Sequence, residues 1–433
     1  MTERTGQDAL KPAHAPERVS LTIMAMALLP FSLGYFLSYL YRAVNAVVAP
    51  DLITEFKLSA GELGLLTAAY LLAFALFQLP LGILLDRYGP RRVQAALVAI
   101  GGLGALMFAY APNVYVLTVA RAIIGLGFAG GLMSGFKAVV LWVPEQRRAL
   151  ANSLVMSIGA LGLLVSTSPT EWAVQTYGWR NAFLGVVSFT ALVAAMIYLV
   201  VPERRQQAEP APLSAQLADV GQIYRDRVFL GLAPLLATTA GAQIGLQTLW
   251  AGPWLKDVAG LDRTGVANVL FISAAGFFAG ILISGAVADW LSRRGVSLIT
   301  VMLGFLAVYV LAQIAIILPI RGYDAWLWSL FGMCGQVAVL AYPWLSSYFG
   351  VKLSGRSNTA ANLLMFLAAF AIQYVVGVVI DLWPRTASGG YPVEAYSAAF
   401  AGTLAIQLLA FFWYLANRRR IAAAEAQMRA ERL

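Results

Sequence analysis

The chain has 433 residues, 60% hydrophobic and only 12% charged, which is roughly half the charge a soluble protein of this size carries. One cysteine, Cys334, and one histidine, His14, exclude an internal disulfide and a histidine-built metal or catalytic centre. The net charge of +9 invites a nucleic-acid reading, but its placement in short groups between long apolar runs argues against one.

Residues 1–19 are polar and read as a tail, and no cleavable signal peptide is evident before the first apolar run. Crossing a bilayer as a helix takes about 20 apolar residues. Runs of that order follow at 20–46, 61–84, 92–111, 114–141, 149–171, 181–201, 228–251, 266–288, 297–318, 325–348, 359–383 and 396–417. Their length and lack of strict alternation select helices over a barrel. The expected fold is therefore an all-α membrane protein of about twelve transmembrane helices. Residues 20–201 and 228–417 form two six-helix bundles. Between them, 202–227 is a polar, proline-rich linker that ends in a short amphipathic helix, and 418–433 is a second tail. With the amino terminus inside, 21 of the 30 Lys and Arg fall on the cytoplasmic side and six on the other, which predicts both termini in the cytoplasm.

In the first span, Tyr35, Ser38, Arg42 and Asn45 share one helix face. A charge within a span is costly and marks a functional site by default. The arginine fork also suits a carboxylate or phosphate. The competing reading is that residues 21–41 nearly span alone, leaving Arg42 to snorkel to the outer headgroups. The turn after the second span carries Gly82, Asp86, Arg87, Gly89, Arg91 and Arg92. Its carboxylate and arginines can form ion pairs between the halves, as a conformational latch. Arg121 and Lys137 lie 16 residues apart on the fourth span, about 24 Å along a helix, so they cannot hold the same small ligand. Arg121 is read as pairing within the first bundle and shaping the cavity's field, and Lys137, near the cytoplasmic end, as snorkelling; if both face inward with Arg42 they form a charge relay beside a net-positive cavity. In the seventh span, Gln243, Gln247, Trp250 and Trp254 repeat at helical spacing, neutral donors between large aromatic faces. Asn362, Phe366 and Gln373 repeat likewise in the eleventh, and Tyr342 and Gln336 are weaker candidates in the tenth. Interhelical bonding is the alternative role for such polar groups. Glu171 and Asp381 lie near the outer ends of their spans.

A degenerate copy of the charged turn returns at Gly285-Ala-Val-Ala-Asp289, with Arg293 and Arg294, 203 residues after the first. Two such turns at equivalent places describe a parallel duplication, the build of transporters that rock around a midplane site.

Together with Arg121-Ala-Ile-Ile-Gly125-Leu-Gly127, these features resemble the major facilitator superfamily over residues 20–417. A finer resemblance is to its anion–cation symporter branch and nitrate-transporter-like bacterial relatives. It rests on Arg42-Ala-Val-Asn45 with Ala49-Pro50, on Lys137, Trp142-Val-Pro144 and Arg147, and on Gly178-Trp179-Arg180 with Phe183. The resemblance implies a major facilitator fold in two parallel pseudo-repeats, in the bacterial inner membrane. It implies a monomer, an anionic small-molecule substrate, alternating access, and a turn that stabilises the outward-open state. It also raises proton coupling. The chain has Tyr41 and Phe128 where that branch often has carboxylates, so uniport and anion exchange stay open beside symport.

The leading expectation is a secondary active transporter of a small, carboxylate-like organic anion. Efflux of amphipathic compounds or drugs is the alternative, favoured by the aromatic content and disfavoured by the missing fifth-helix motif of drug–proton antiporters. A membrane-embedded enzyme is remote, because acid–base chemistry wants paired groups at a membrane face and Asp86, Glu145 and Asp289 sit in loop motifs. A sensor would want an output module, and the tails are too short to fold as one. No P-loop, cofactor or metal site is expected.

Overall fold

The computed structural model describes residues 21–203, 213–318, 320, 322–335 and 340–430. The tail at 1–19, the proline-rich part of the linker, Gln336 and residues 431–433 lie outside the described residues. Every regular element among the described residues is helical. The first half holds α1 (Leu21–Ala43), α2 (Asn45–Phe56), α3 (Ala60–Ala109), α4 (Val114–Phe128), α5 (Gly131–Trp142), α6 (Glu145–Val165), α7 (Ser168–Tyr177) and α8 (Trp179–Leu199). The linker helix is α9 (Leu213–Arg225). The second half holds α10 (Arg227–Gly245), a π turn (Leu246–Trp250), α11 (Ala251–Asp257), α12 (Arg263–Ser292), α13 (Leu298–Ile317), α14 (Asp324–Gly335), α15 (Ala341–Ile380) and α16 (Val393–Ala430).

The breaks follow local chemistry. As one straight rod, α3 would reach about 75 Å, more than twice the roughly 30 Å hydrocarbon core. It turns back at Gly89, whose φ of 77° is left-handed, so it makes two crossings. The equivalent turn between α12 and α13 uses Gly295 at φ 81°. Ser59 and Glu62 form a reciprocal capping box at the start of α3. Asp226 caps α10 through the amides of Val228 and Phe229. Nine described segments are long and apolar enough to cross a membrane, ten if the bent α6–α7 pair counts as one span. α16 continues as helix past residue 417 to Ala430. Its alanine-rich end is a strong helix former, and Ile421 is buried.

The linker helix α9 lies on the second half. Asp219 pairs with Arg356, and the Tyr224 hydroxyl donates to the Ala360 carbonyl at 3.0 Å. The two halves meet where the first limb of α3 runs beside α15, where α6 and α7 meet α12, and where α2 meets the π turn and α11. Large apolar side chains such as Leu103, Tyr115, Leu311 and Leu409 stand exposed around the outside, where lipid rather than water is the solvent.

Close helix approach inside the first half depends on glycine. A Cβ at Gly125 would collide with the carbonyl oxygen of Tyr70, whereas one at Gly82 would meet nothing within 4 Å. Gly125→Ala is therefore expected to cost about 1–3 kcal/mol through overpacking, and Gly82→Ala to cost nothing. Thermal unfolding of the two variants checks this. Equal melting temperatures would mean that the α3–α4 contact can relax.

Candidate functional site

Between the halves lies a cavity of about 490 Å³, within the size range of small-molecule sites. Its inner end is set by Arg42, Phe74, Thr248 and Phe366, and its wall runs past Gln78, Tyr342 and Phe277 to Ser153, Ser284 and Gly285. The last three lie toward the bundle end that carries the Gly89 and Gly295 turns. That end is called the linker face here, and the cavity opens toward it.

Among the described residues, Arg42 is the only charged one in this lining. It is 7% exposed and takes part in none of the ion pairs among the described residues. Its Nε has no hydrogen-bond partner. Three rings surround its guanidinium carbon instead, Tyr39 at 4.8 Å, Phe366 at 4.9 Å and Phe74 at 5.2 Å. Phe74 and Phe366, from opposite halves, stack on each other at 4.1 Å. Snorkelling is ruled out by the helix itself. The helical path continues through α2 to Phe56, about 21 Å beyond Arg42.

The structure divides the expected binding residues. Tyr35, Arg42, Gln243, Gln247 and Asn362 line the cavity. Ser38 does not, being wholly buried between the Tyr70 hydroxyl (3.3 Å) and the Phe128 carbonyl (3.2 Å). Asn45, which opens α2, is wholly buried and donates to Thr67 at 2.9 Å. Trp250 and Gln373 bond to each other instead, indole Nε1 to the Gln373 carbonyl at 2.9 Å. The physical reason lies in the π turn. One extra residue per turn moves Trp250 and Trp254 off the face that Gln243 and Gln247 share. Trp254 packs on Trp328 instead. Sequence reasoning missed Tyr39, Phe74, Gln78 and Phe277. Gln78 carried a signal, as a lone amide deep in an apolar run.

The cavity's neutral polar groups largely satisfy one another. Asn362 donates to Gln78 at 3.2 Å across the halves and accepts from Tyr342 at 3.1 Å. Gln243 donates to Gln247, which donates to the Ser273 hydroxyl at 3.0 Å.

The opposite face is sealed by groups from both halves. Arg263 at the start of α12 grips Asp51 with two bonds, at 2.5 and 3.1 Å, and Glu171 with its Nε. Arg385 donates to the Leu58 carbonyl at 2.5 Å. Asp381 caps the start of α3, accepting from the amides of Ala60 (2.9 Å) and Gly61 (2.7 Å) and from the Tyr391 hydroxyl. Glu171 and Asp381, read from sequence only as residues near outer helix ends, are thus parts of this seal.

Burial alone would raise the Asp381 pKa, but the Tyr391 and amide bonds outweigh it and hold the carboxyl below its ordinary value. The depressed pKa belongs to the sealed arrangement. Its contribution is present above the ordinary carboxylate range and is lost as pH falls through the lowered value. Acid is therefore expected to loosen this face, and Asp381→Asn to remove that part of the response. Distances between spin labels on Thr54→Cys and Lys256→Cys, followed against pH, test this. Identical profiles in both backgrounds would refute it.

The charged turns of the linker face find their partners nearby, within their own half or at the start of the linker. Asp86 pairs with Lys137, Arg91 and Arg92 with Glu203, and Arg91 also donates to the Tyr198 carbonyl. Arg87 lies over Tyr88 and Arg294 over Trp290. Among the described residues, no bond joins the Asp86 turn to Asp289, Arg293 or Arg294. The cross-half pairing expected of a latch is not made in this conformation, because this face is open. A Cβ added at Gly82 or Gly89 would meet nothing within 4 Å either. Arg121 is also outside the cavity. It is wholly buried, bonded to the Tyr41 carbonyl at 2.7 Å and stacked on Tyr70. Arg121 and Lys137 therefore do not form a relay through the site.

The family model of the Major Facilitator Superfamily matches residues 31–373. A probable sulfoacetate transporter of Cupriavidus necator is 26% identical over 276 residues, spanning 60% of this chain and 64% of that protein, a little under two thirds of its length. The hexuronate transporter of Escherichia coli K12 is 27% identical over 374 residues, 81% of this chain and 86% of that one. The fold is shared with a bacterial homolog of the human lysosomal transporter Spinster, solved in an inward-facing, occupied conformation. The TM-score is 0.75 at 19% identity, over 94% of this chain and 99% of that one.

Proposed function

This chain belongs to the Major Facilitator Superfamily, and from that membership we propose that it is a secondary transporter that carries a small organic anion across the membrane by alternating access. One observation carries the anion assignment. Arg42 is a buried cation with no acidic partner, at the inner end of a cavity built by both halves. Leaving a buried charge unpaired is costly, and a carboxylate entering from the linker face would supply the pair. The names of the two transporters compared above, for sulfoacetate and hexuronate, support the same class. The charge bias supports a cytoplasmic linker face, and hence an inward-open conformation. In the outward-open state we place the Asp86 turn in contact with the second half, as the latch. Both walls of the cavity come from one chain, so a monomer suffices. No Asp or Glu is among the described residues that line the cavity, which favours uniport or anion exchange over a proton carrier inside it.

The aromatic wall of Tyr39, Phe74, Phe277 and Phe366 favours a second reading, efflux of amphipathic compounds. Ligand-induced thermal stabilisation separates the two, because a ligand that binds only the folded protein raises apparent stability by mass action. The purified protein is screened against carboxylates, phosphates, inorganic anions and organic cations. Stabilisation by carboxylates supports the proposal. Stabilisation by organic cations alone would transfer it to efflux.

A further inference from the structure

We infer that the preferred substrate is an organic acid with a single carboxylate on an apolar, ring-bearing body, rather than a sugar acid or a dicarboxylate. This rests on the anion reading above and narrows it. Three features of the cavity point the same way.

The first is charge. Arg42 is the sole charged group among the described residues of the lining, so one carboxylate neutralises it and a second would face neutral side chains with no cationic partner. Burying an unpaired charge is the most unfavourable thing such a cavity could be asked to do.

The second is the geometry around the cation. Tyr39, Phe74 and Phe366 hold the guanidinium among their rings, while its Nε is without a partner. With the rings occupying its surroundings, the N–H fork remains for a carboxylate, which it can bind with two parallel bonds. The acid's body then lies along Tyr35, Phe277 and Met156.

The third is the state of the polar groups. A sugar acid brings several hydroxyls that need partners once they leave water, and each one left unmade is penalised. The amides that could serve are engaged with one another, Asn362 with Gln78 and Tyr342, and Gln243 with Gln247 and Ser273. The cavity offers one charged anchor beside rings, and amides already engaged with one another, which match an amphipathic monoacid.

The test is a titration of purified wild type, Arg42→Gln and Arg42→Lys, read by thermal stabilisation. The probes are benzoate, 3-phenylpropionate, glucuronate, phthalate and benzylammonium. The expected result is that an aromatic monoacid binds wild type about tenfold or more tightly than glucuronate, from the ring area buried, and more tightly than phthalate. Arg42→Gln loses this response. Arg42→Lys keeps the order of preference at lower affinity, and carries the test if the glutamine variant does not fold. Stronger binding of glucuronate or phthalate overturns the substrate class and leaves the anion reading standing. No response to either aromatic acid also overturns the class. Benzylammonium stabilising wild type and Arg42→Gln alike would remove the anion reading itself.

Discussion

Arg42→Gln is expected to abolish anion-induced stabilisation while raising the melting temperature of the ligand-free protein. The two effects have one cause. In the empty cavity the guanidinium is buried without a counter-charge, and the effective penalty for an unpaired buried ion is several kcal/mol. The rings of Tyr39, Phe74 and Phe366 offset part of it, at about 0.5–2 kcal/mol for each cation–π contact. Water in the cavity offsets more. The remainder, on the order of 1–2 kcal/mol after these offsets, is what glutamine recovers. The bound state reverses the balance. A charged bidentate contact contributes about 1.5–3 kcal/mol, so its loss weakens the anion about 10–150-fold. Thermal unfolding with and without the anion measures both effects. A variant that melts lower than wild type yet still responds to the anion would show that Arg42 is a structural residue.

Much of the architecture was legible because apolar length is a one-dimensional signal. The spans and the duplicated turn could be read from runs and spacing, and Gly89 and Gly295 stand as left-handed breaks at the repeated place. The site was legible only in part. Helical spacing puts Tyr35, Ser38, Arg42 and Asn45 on one face, but that face is wide enough to touch both a cavity and a neighbouring helix. Ser38 went to the neighbour, at Tyr70 and Phe128, and Asn45 to Thr67 on the second span. In the seventh span the π turn changed the phase after Gln247, and no residue type announces such a turn. The seal was invisible for a different reason. Asp51 and Arg263 are 212 positions apart, and nothing in their local sequence distinguishes them from ordinary loop charges. The latch motif was readable, but which state it serves is a property of the conformation rather than of the motif.

Arg263→Ala is expected to shift the protein toward opening of the sealed face by about 5–150-fold, the span of 1–3 kcal/mol. The wild-type contact joins halves that separate in the opposite state, so its whole energy counts toward the equilibrium between the two states. Asp51 and Glu171 belong to the first half and Arg263 to the second. Arg263 is 36% exposed, and an exposed pair of this kind contributes little by itself. The Glu171 side chain, however, is only 5% exposed. Without Arg263 it would stay desolvated beside Asp51, two carboxylates that had shared one guanidinium. Their repulsion adds to the lost attraction, and both are relieved when the halves part. That sum places the effect above a surface pair and below a fully buried one. Spin labels on Thr54→Cys and Lys256→Cys, exposed positions on opposite halves of this face, read the result as growth of a long-distance population. The one native cysteine, Cys334, is buried and leaves the labelling clean. An unchanged distance distribution would show that the Asp381 cap and the Arg385 bond hold the face without Arg263. Where the long-distance population does grow, Glu171→Gln in the Arg263→Ala background is the decisive comparison. If repulsion drives the opening, neutralising Glu171 reverses most of it, whereas a purely attractive role for Arg263 leaves the face as open as before.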